Sequence, residues 1–223
     1  EYVSGQILDG IEAFLQTSGS LMYLGGNGFY WVTDMSDDGT VLEVRRPNGT
    51  RPSTSEPGES FQQLTGELGG LWKDRGRPPQ KLTGVGFIAQ GWTSEDRCGL
   101  AQPYTVSDLA IGPAYSDLFA GLQSGDSIGA FPSASLGHGA AGDEIDCVDF
   151  KKGSPAQTKI LATADGFEKE YRPAIETQTQ IHNRPLDLDD ELIRADLAWI
   201  DLVSGGAIFS TGSINWISSL CYN

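Results

Sequence analysis

The chain has few of the residues from which enzymes commonly build metal and nucleophile sites. It contains two histidines, His138 and His182, and three cysteines, Cys98, Cys147 and Cys221, in 223 residues. The cysteines lie far apart, form no CxxC pair and have no histidine at a zinc-like spacing. The sequence therefore argues against a zinc site, a histidine-rich metal site and a disulfide framework, and it favours reduced, buried thiols.

Positive charge is also scarce. The chain carries 15 Lys and Arg against 30 Asp and Glu, which gives a formal net charge of -15. Such a chain repels nucleic-acid backbones and anionic membrane surfaces. No stretch approaches the roughly 20 apolar residues of a membrane-spanning helix, and nothing resembles a signal peptide. We therefore expect a cytoplasmic protein that binds neither nucleic acid nor membrane.

The chain lacks a GxSxG motif as well, so the sequence gives little support to Ser-His-Asp catalysis. Glycine, by contrast, is abundant at 29 residues, and there are five tryptophans. This combination predicts long ordered loops packed on aromatic anchors. It also leaves open a module that binds sugars or other small polar molecules.

The first elements predict an α/β fold. Ser4 can cap an amphipathic helix that ends near Gly19, and an apolar strand starts at Leu21. This order of helix and strand suits a doubly wound sheet with parallel strands. Further along, residues 116–123 have the pattern of a short helix and residues 160–164 that of a strand. The Ser204-Gly205-Gly206 turn predicts a hairpin between residues 196–203 and 207–210.

The length of the chain suits one large domain. Residues from about 40 to 150 have the composition of a long, irregular, β-rich insertion. The chain starts without a methionine and ends without a closing helix. We therefore expect residues 1–223 to be a single domain excised from a longer polypeptide.

The most informative stretch lies between Leu21 and Trp31 and has the sequence LMYLGGNGFYW. An apolar strand ends there in a glycine-rich turn with Asn27 at its apex, and glycines allow close backbone approach. Strand ends of this kind line ligand crevices in α/β sheets. A tight turn plugged by aromatic side chains is the structural alternative.

A second glycine-rich segment carries carboxylates, in the sequence GHGAAGDEIDCVD from residue 137 to 149. In strand geometry Glu144 and Asp146 share a face. His138 precedes them in the same segment, and Glu67 lies in another glycine-rich stretch, TGELGGLW. For each of these residues a structural role stays open. Glu144 and Asp146 can belong to a solvated acidic loop, His138 can bond to the backbone, and Glu67 can belong to a turn fixed by packing.

Several long motifs, in this order, resemble one known family. They are EYVSGQILDGIEAFL, LMYLGGNGFYW, TGELGGLWKDRGRPPQKLTGVGFIAQG, GAAGDEID and LIRADLAWIDLVSGGAIFSTGSINWISSL. The chain resembles the C-terminal region of the large (beta) subunit of N,N-dimethylformamidase and its relatives. The resemblance implies a flavodoxin-like α/β fold related to class I glutamine amidotransferases, with Asn27 where those enzymes hold a nucleophilic cysteine.

The resemblance also implies a mononuclear iron, Fe³⁺, bound by tyrosine phenolates and a glutamate. Carried over to this sequence, Tyr30 and Glu144 are the expected metal ligands, and Asn27, His138 and Glu67 are the expected catalytic residues. The iron would act as a Lewis acid in hydrolysis of a small amide, an N-substituted formamide, to formate and an amine. No redox step is needed.

One departure from the family pattern bears on activity. The family carries a Tyr-His pair shortly before the TGE motif, whereas this chain has Phe61 and Gln62. Phenylalanine cannot bind a metal, so altered metal binding, an altered substrate and loss of catalysis all stay open.

The alternative function is a non-catalytic α/β module for assembly or for binding a small ligand. The resemblance further implies, as partners, the rest of the same large-subunit chain, a small subunit, and a homo- or hetero-oligomer.

Overall fold

A computed structural model describes residues 1–47, 59–91, 101–133, 137–167, 171–174 and 193–220. Within these ranges the chain is rich in β-structure. The three helices are α1 (Gly5–Gln16), α2 (Pro79–Thr83) and α3 (Trp216–Ser219). The strands, in chain order, are β1 (Tyr2–Val3), β2 (Leu21–Tyr23), β3 (Trp31–Met35), β4 (Leu42–Val44), β5 (Gly86–Gly91), β6 (Tyr104–Val106), β7 (Ser127–Ile128), β8 (Pro132–Ser133), β9 (Gly137–His138), β10 (Glu144–Cys147), β11 (Lys159–Ala164), β12 (Tyr171–Pro173), β13 (Ala195–Asp201) and β14 (Ala207–Ser210).

The strands form one large sheet and three small ones. The large sheet has six strands in the order β2-β14-β13-β11-β6-β7, and the small sheets have the orders β1-β3-β4, β10-β5-β12 and β8-β9. In the large sheet only the pair β2/β14 is parallel, and every other neighbouring pair is antiparallel. The sheet is therefore built largely from antiparallel pairing.

This topology shows that the predicted flavodoxin-like, doubly wound α/β fold is wrong. A doubly wound sheet needs parallel strands with helices on both faces. Of the helices within the described residues, only α1 is longer than five residues. The helix-then-strand order at the start of the chain is real, but β2 pairs with β14, almost at the other end of the chain. The division into one domain with an insertion at residues 40–150 stays a prediction.

Local predictions from the first and last elements are confirmed. Ser4 caps α1, with its side-chain oxygen accepting the N–H of Ile7 at 3.3 Å. β13 and β14 form the predicted hairpin, whose turn contains Gly205 in a left-handed conformation. No described helix is long and apolar enough to cross a membrane.

The largest core cluster joins two sheets. Ile145 on β10 and Ile88 on β5 pack in the same cluster as Leu197 on β13 and Tyr104 on β6. On the other side of β13 and β14, residues Leu8 and Leu15 of α1 pack in a second cluster with Ile200 and Ile208. β10 is an edge strand of its small sheet, and the segment that follows β14 lies along its free edge. The connection between β2 and β3 reaches this same edge.

Candidate functional site

The connection between β2 and β3 is a tight turn packed directly on β10. A Cβ atom at Gly26 would lie 2.2 Å from the carbonyl oxygen of Glu144, so only glycine fits there without displacing backbone. Asn27 and Phe29 have φ angles of 54° and 55°, a left-handed conformation that non-glycine residues adopt rarely. Such strain is concentrated at functional sites. The predicted glycine-rich turn with Asn27 at its apex is thus present.

Asn27 places its side-chain amide between two carboxyl groups. Its Nδ2 donates to Oε1 of Glu144 at 3.0 Å and to Oε1 of Glu1 at 2.5 Å. The side chain is 4% exposed, and Glu144 is 8% exposed. Because both carboxylates need a donor, the amide is fixed with its nitrogen toward them. Its Oδ1 is buried and has no hydrogen-bond partner within the described ranges.

Asp146 also binds the turn between β2 and β3. Its Oδ1 accepts the backbone N–H of Asn27 at 2.7 Å, and its Oδ2 accepts the hydroxyl hydrogen of Tyr23 at 2.9 Å. The Tyr23 oxygen in turn accepts the N–H of Gly28 at 2.6 Å. Glu144 and Asp146, which strand geometry predicts on one face, both contact Asn27. Asp149 is separate and accepts the N–H of Lys151 in the next turn.

The buried acids Glu144 and Asp146 and the exposed Glu1 lie around Asn27 and form a carboxyl cluster. Burial raises the pKa of Glu144 to about 7, and the neighbouring carboxyl of Glu1 raises it too, against the lowering effect of the Asn27 amide. Burial likewise raises the pKa of Asp146 to about 7, although the hydrogen bonds from Asn27 and Tyr23 oppose the shift. At neutral pH these two carboxyl groups are therefore only partly ionised.

Tyr30 has a different environment. Its ring is buried against Trp31 and Phe87 in edge-to-face contacts, with centroids 5.3 and 5.5 Å apart respectively. It lines a cavity of about 190 Å³ together with Lys73 and Lys152. The hydroxyl of Tyr23, a residue of the predicted apolar strand, donates to Asp146 in the carboxyl cluster. The pairing of Tyr30 with Glu144 at one metal stays a prediction.

The other predicted residues lie as follows. Glu67 has a 60% exposed side chain and forms an ion pair with Arg75 at 2.5 Å. His138 lies on β9, paired with Pro132 of β8, and its side chain is outside what the structure describes. Phe61 is 55% exposed. The structure therefore brings Asn27 and Glu144 together, and it places the exposed Glu67 in an ion pair with Arg75.

The donor chemistry of the cluster suits a hard cation. Carboxylate, phenol and amide oxygens are the ligands that hard metal ions prefer, and Asn27 Oδ1 is a buried acceptor without a described donor. Within the described residues no three His, Cys, Asp or Glu side chains are gathered as a metal-binding group; tyrosine is not part of that residue set. The residue types therefore include oxygen ligands, but both oxygens of Asp146 and Oε1 of Glu144 already accept hydrogen bonds from protein donors.

Comparison with known proteins gives the family. A family model described as "N,N-dimethylformamidase beta subunit-like, C-terminal" matches residues 1–223. The N,N-dimethylformamidase beta subunit of Paracoccus aminophilus is 30% identical over 224 residues, and that of Alcaligenes sp is 29% identical over 225. Both alignments cover 100% of this chain, which spans 28% of the length of either relative. The chain belongs to the N,N-dimethylformamidase beta subunit-like, C-terminal family.

Proposed function

We propose that this chain forms part of a hydrolase that cleaves a small amide, an N-substituted formamide, into formate and an amine. Both relatives are named N,N-dimethylformamidase beta subunits, which supports amide hydrolysis as the reaction class. The observation that carries the proposal is the buried arrangement in which the strained turn holds the Asn27 amide against Glu144. Polar groups held in fixed orientation and shielded from water are what electrostatic catalysis needs.

The roles of the residues follow from their contacts. Asn27 fixes one carboxylate oxygen of Glu144, which leaves the other oxygen of that carboxyl to act on a ligand. The carboxyl of Glu1 lies close enough to share the Asn27 amide, so the two acids can exchange a proton between them. Asn27 and Glu144 are both buried, whereas Glu1 is exposed.

We further propose that Glu144 and a tyrosine phenolate hold Fe³⁺, with Tyr30 as the expected tyrosine. A bound ferric ion would supply Lewis-acid polarisation of the amide carbonyl. His138 and Glu67 stay proposed catalytic residues. The beta-subunit names of the relatives also lead us to propose that the chain works with further polypeptide in an oligomer. A cytoplasmic location stays a prediction.

The experiment measures formate and amine release by the full-length protein from formamide, N-methylformamide and N,N-dimethylformamide, together with its iron content. Glu144→Gln should lower kcat by at least about 100-fold, the loss expected when an acid or ligand at the reacting centre is removed. Glu43→Gln is the matched control, since Glu43 is also buried but accepts the N–H groups of Gln63 and Leu64, away from the cluster. Equal activity of the two variants would contradict the role of Glu144.

The same assay separates the alternative function. A folded, assembled protein that releases no formate or amine from any formamide would favour a non-catalytic module, as Phe61 in place of tyrosine allows. Glu67→Gln tests the remaining carboxylate: unchanged kcat removes Glu67 from the site and leaves it as the ionic partner of Arg75.

A further inference from the structure

Asp146 is fully buried and lies two residues after Glu144 on β10. Nothing in the proposed reaction gives it contact with substrate. Its two carboxylate oxygens accept hydrogen bonds from different parts of the connection between β2 and β3: the hydroxyl of Tyr23 at the end of β2 and the backbone N–H of Asn27 in the turn. One side chain thus ties the end of the strand to the apex of the turn.

Tyr23 extends this tie by one residue. Its oxygen, which donates its hydrogen to Asp146, accepts the N–H of Gly28 at 2.6 Å. Two consecutive N–H groups of the turn therefore end on Asp146, one directly and one through the phenol. A Cβ atom at Gly28 would lie 2.6 Å from the Tyr23 oxygen, so the turn has no room to drift toward the ring.

The backbone of the turn needs such support. Asn27 and Phe29 both have left-handed φ angles, which are unfavourable for residues with a Cβ and persist only where surrounding contacts fix them. The position of the Asn27 amide depends on this backbone. If the N–H of Asn27 lost its acceptor, the turn could relax and the amide would leave Glu144.

We propose that Asp146 is a positioning residue, which holds the turn of residues 25–29 so that the Asn27 amide is fixed against Glu144. The proposal rests on the proposed function, because its purpose is to orient Glu144 for amide hydrolysis. Asp146 acts through Asn27 and makes no contact with substrate. Carboxylate geometry is essential, since both oxygens are used and each faces a donor.

Two variants and one control test the tie. Asp146→Asn keeps the shape but replaces one acceptor oxygen with a donor, and Tyr23→Phe removes the hydroxyl bridge while leaving Asp146 in place. Asp196→Asn is the matched control. Asp196 is equally buried and accepts hydrogen bonds from the N–H of Val148 at 2.8 Å and the hydroxyl of Thr163 at 2.9 Å, neither of which belongs to the turn. It also pairs with Arg194 at 3.1 Å, so this control loses an ion pair as well and sets an upper bound on the effect of altering a buried aspartate away from the turn.

The first readout is kcat in the full-length protein, in a double-mutant cycle with Asn27→Gly. That substitution keeps the backbone N–H and tolerates the left-handed φ, but it removes the amide side chain. We expect Asp146→Asn to lower kcat about 10- to 100-fold in the wild-type background, and by less than about 2-fold in the Asn27→Gly background. A merely structural role would cost the same factor in both backgrounds, and that result overturns the proposal.

The second readout does not depend on activity. Backbone hydrogen exchange at Asn27 and Gly28 should rise at least about 10-fold in Asp146→Asn, rise less in Tyr23→Phe, and stay unchanged in Asp196→Asn. If the wild-type protein hydrolyses no amide, the proposed function fails while exchange still tests the tie. If Asp146→Asn does not fold, Tyr23→Phe carries the test, and unchanged exchange in that variant overturns the proposal.

Discussion

Gly26 offers the sharpest test of how tightly the site is built. Its φ lies outside the left-handed region, so φ does not exclude alanine. The obstacle that the structure shows is contact. The new Cβ would lie 2.2 Å from the carbonyl oxygen of Glu144 and 2.9 Å from the nitrogen of Ile214, and real Cβ atoms essentially never approach closer than 3.0 Å. Relief requires the two backbones to separate by at least about 0.8 Å.

That separation disturbs a hydrogen-bonded seam. The carbonyl of Glu144 accepts the N–H of Ile214 at 3.1 Å, and the N–H of Asp146 donates to the carbonyl of Gly212 at 2.9 Å. Overpacking costs about 1–3 kcal/mol and a lost hydrogen bond about 1 kcal/mol. We therefore expect Gly26→Ala to lower the free energy of unfolding by about 2–4 kcal/mol, and to reduce amide hydrolysis because Glu144 itself moves.

Urea denaturation of the full-length protein measures this loss of unfolding free energy, monitored by a signal that reports on the region around Gly26. Gly10→Ala is the matched control: Gly10 is exposed on α1 with no atom within 4 Å of a new Cβ. This control should gain up to about 1 kcal/mol from helix propensity. A Gly26→Ala protein within about 0.5 kcal/mol of wild type, with full activity, would show that the turn does not press on β10.

Two further predictions concern other buried groups. Burial raises the pKa of Glu43, but the N–H groups of Gln63 and Leu64 and the Arg45 guanidinium lower this pKa more, so it lies below its usual range. Glu43→Gln should therefore lower the free energy of unfolding by about 1–3 kcal/mol at pH 7. Its stabilising effect is present above the unfolded pKa and is lost as pH falls, so the variant and wild type should converge below about pH 4 in urea titrations. Burial raises the pKa of the Cys147 thiol to about 12. Iodoacetamide at pH 8 should therefore alkylate Cys147 about a thousandfold more slowly in the folded protein than in the unfolded chain. Peptide mapping measures the two rates, and equal rates would contradict the burial of this thiol.

The parts of the fold that local sequence could predict are those whose signals are local. A cap at Ser4 begins α1, and the glycine-rich turn around Gly205 joins β13 to β14, because capping and turn geometry depend on a few neighbouring residues. The predicted strand at residues 160–164 is also present, as β11. By contrast, the predicted short helix at residues 116–123 is wrong, and the structure has turns there.

The sheet topology could not be predicted in this way. β2 follows a helix, which suggested a parallel sheet. β2 does pair in parallel, but with the distant β14, and the other neighbouring strands of that sheet pair antiparallel. Strand pairing across such a distance depends on burial of whole faces and not on the order of adjacent elements. The family resemblance led to the same α/β expectation, so it did not correct the local argument.

The residues of the candidate site likewise differ in whether local sequence points to them. Residue type drew attention to Asn27, at the apex of a glycine-rich turn, and to the acidic segment around Glu144, and the family resemblance supplied their expected roles. Tyr23 was missed because it lies in an apolar strand, where its ring is expected to pack. Its hydroxyl finds Asp146, which is 123 residues away in the sequence. A buried aspartate must find donors wherever the fold supplies them, and here they are the phenol that ends β2 and the N–H of the strained turn. Sequence spacing contains no record of that requirement, so the group that positions Asn27 becomes visible only when both strands are packed.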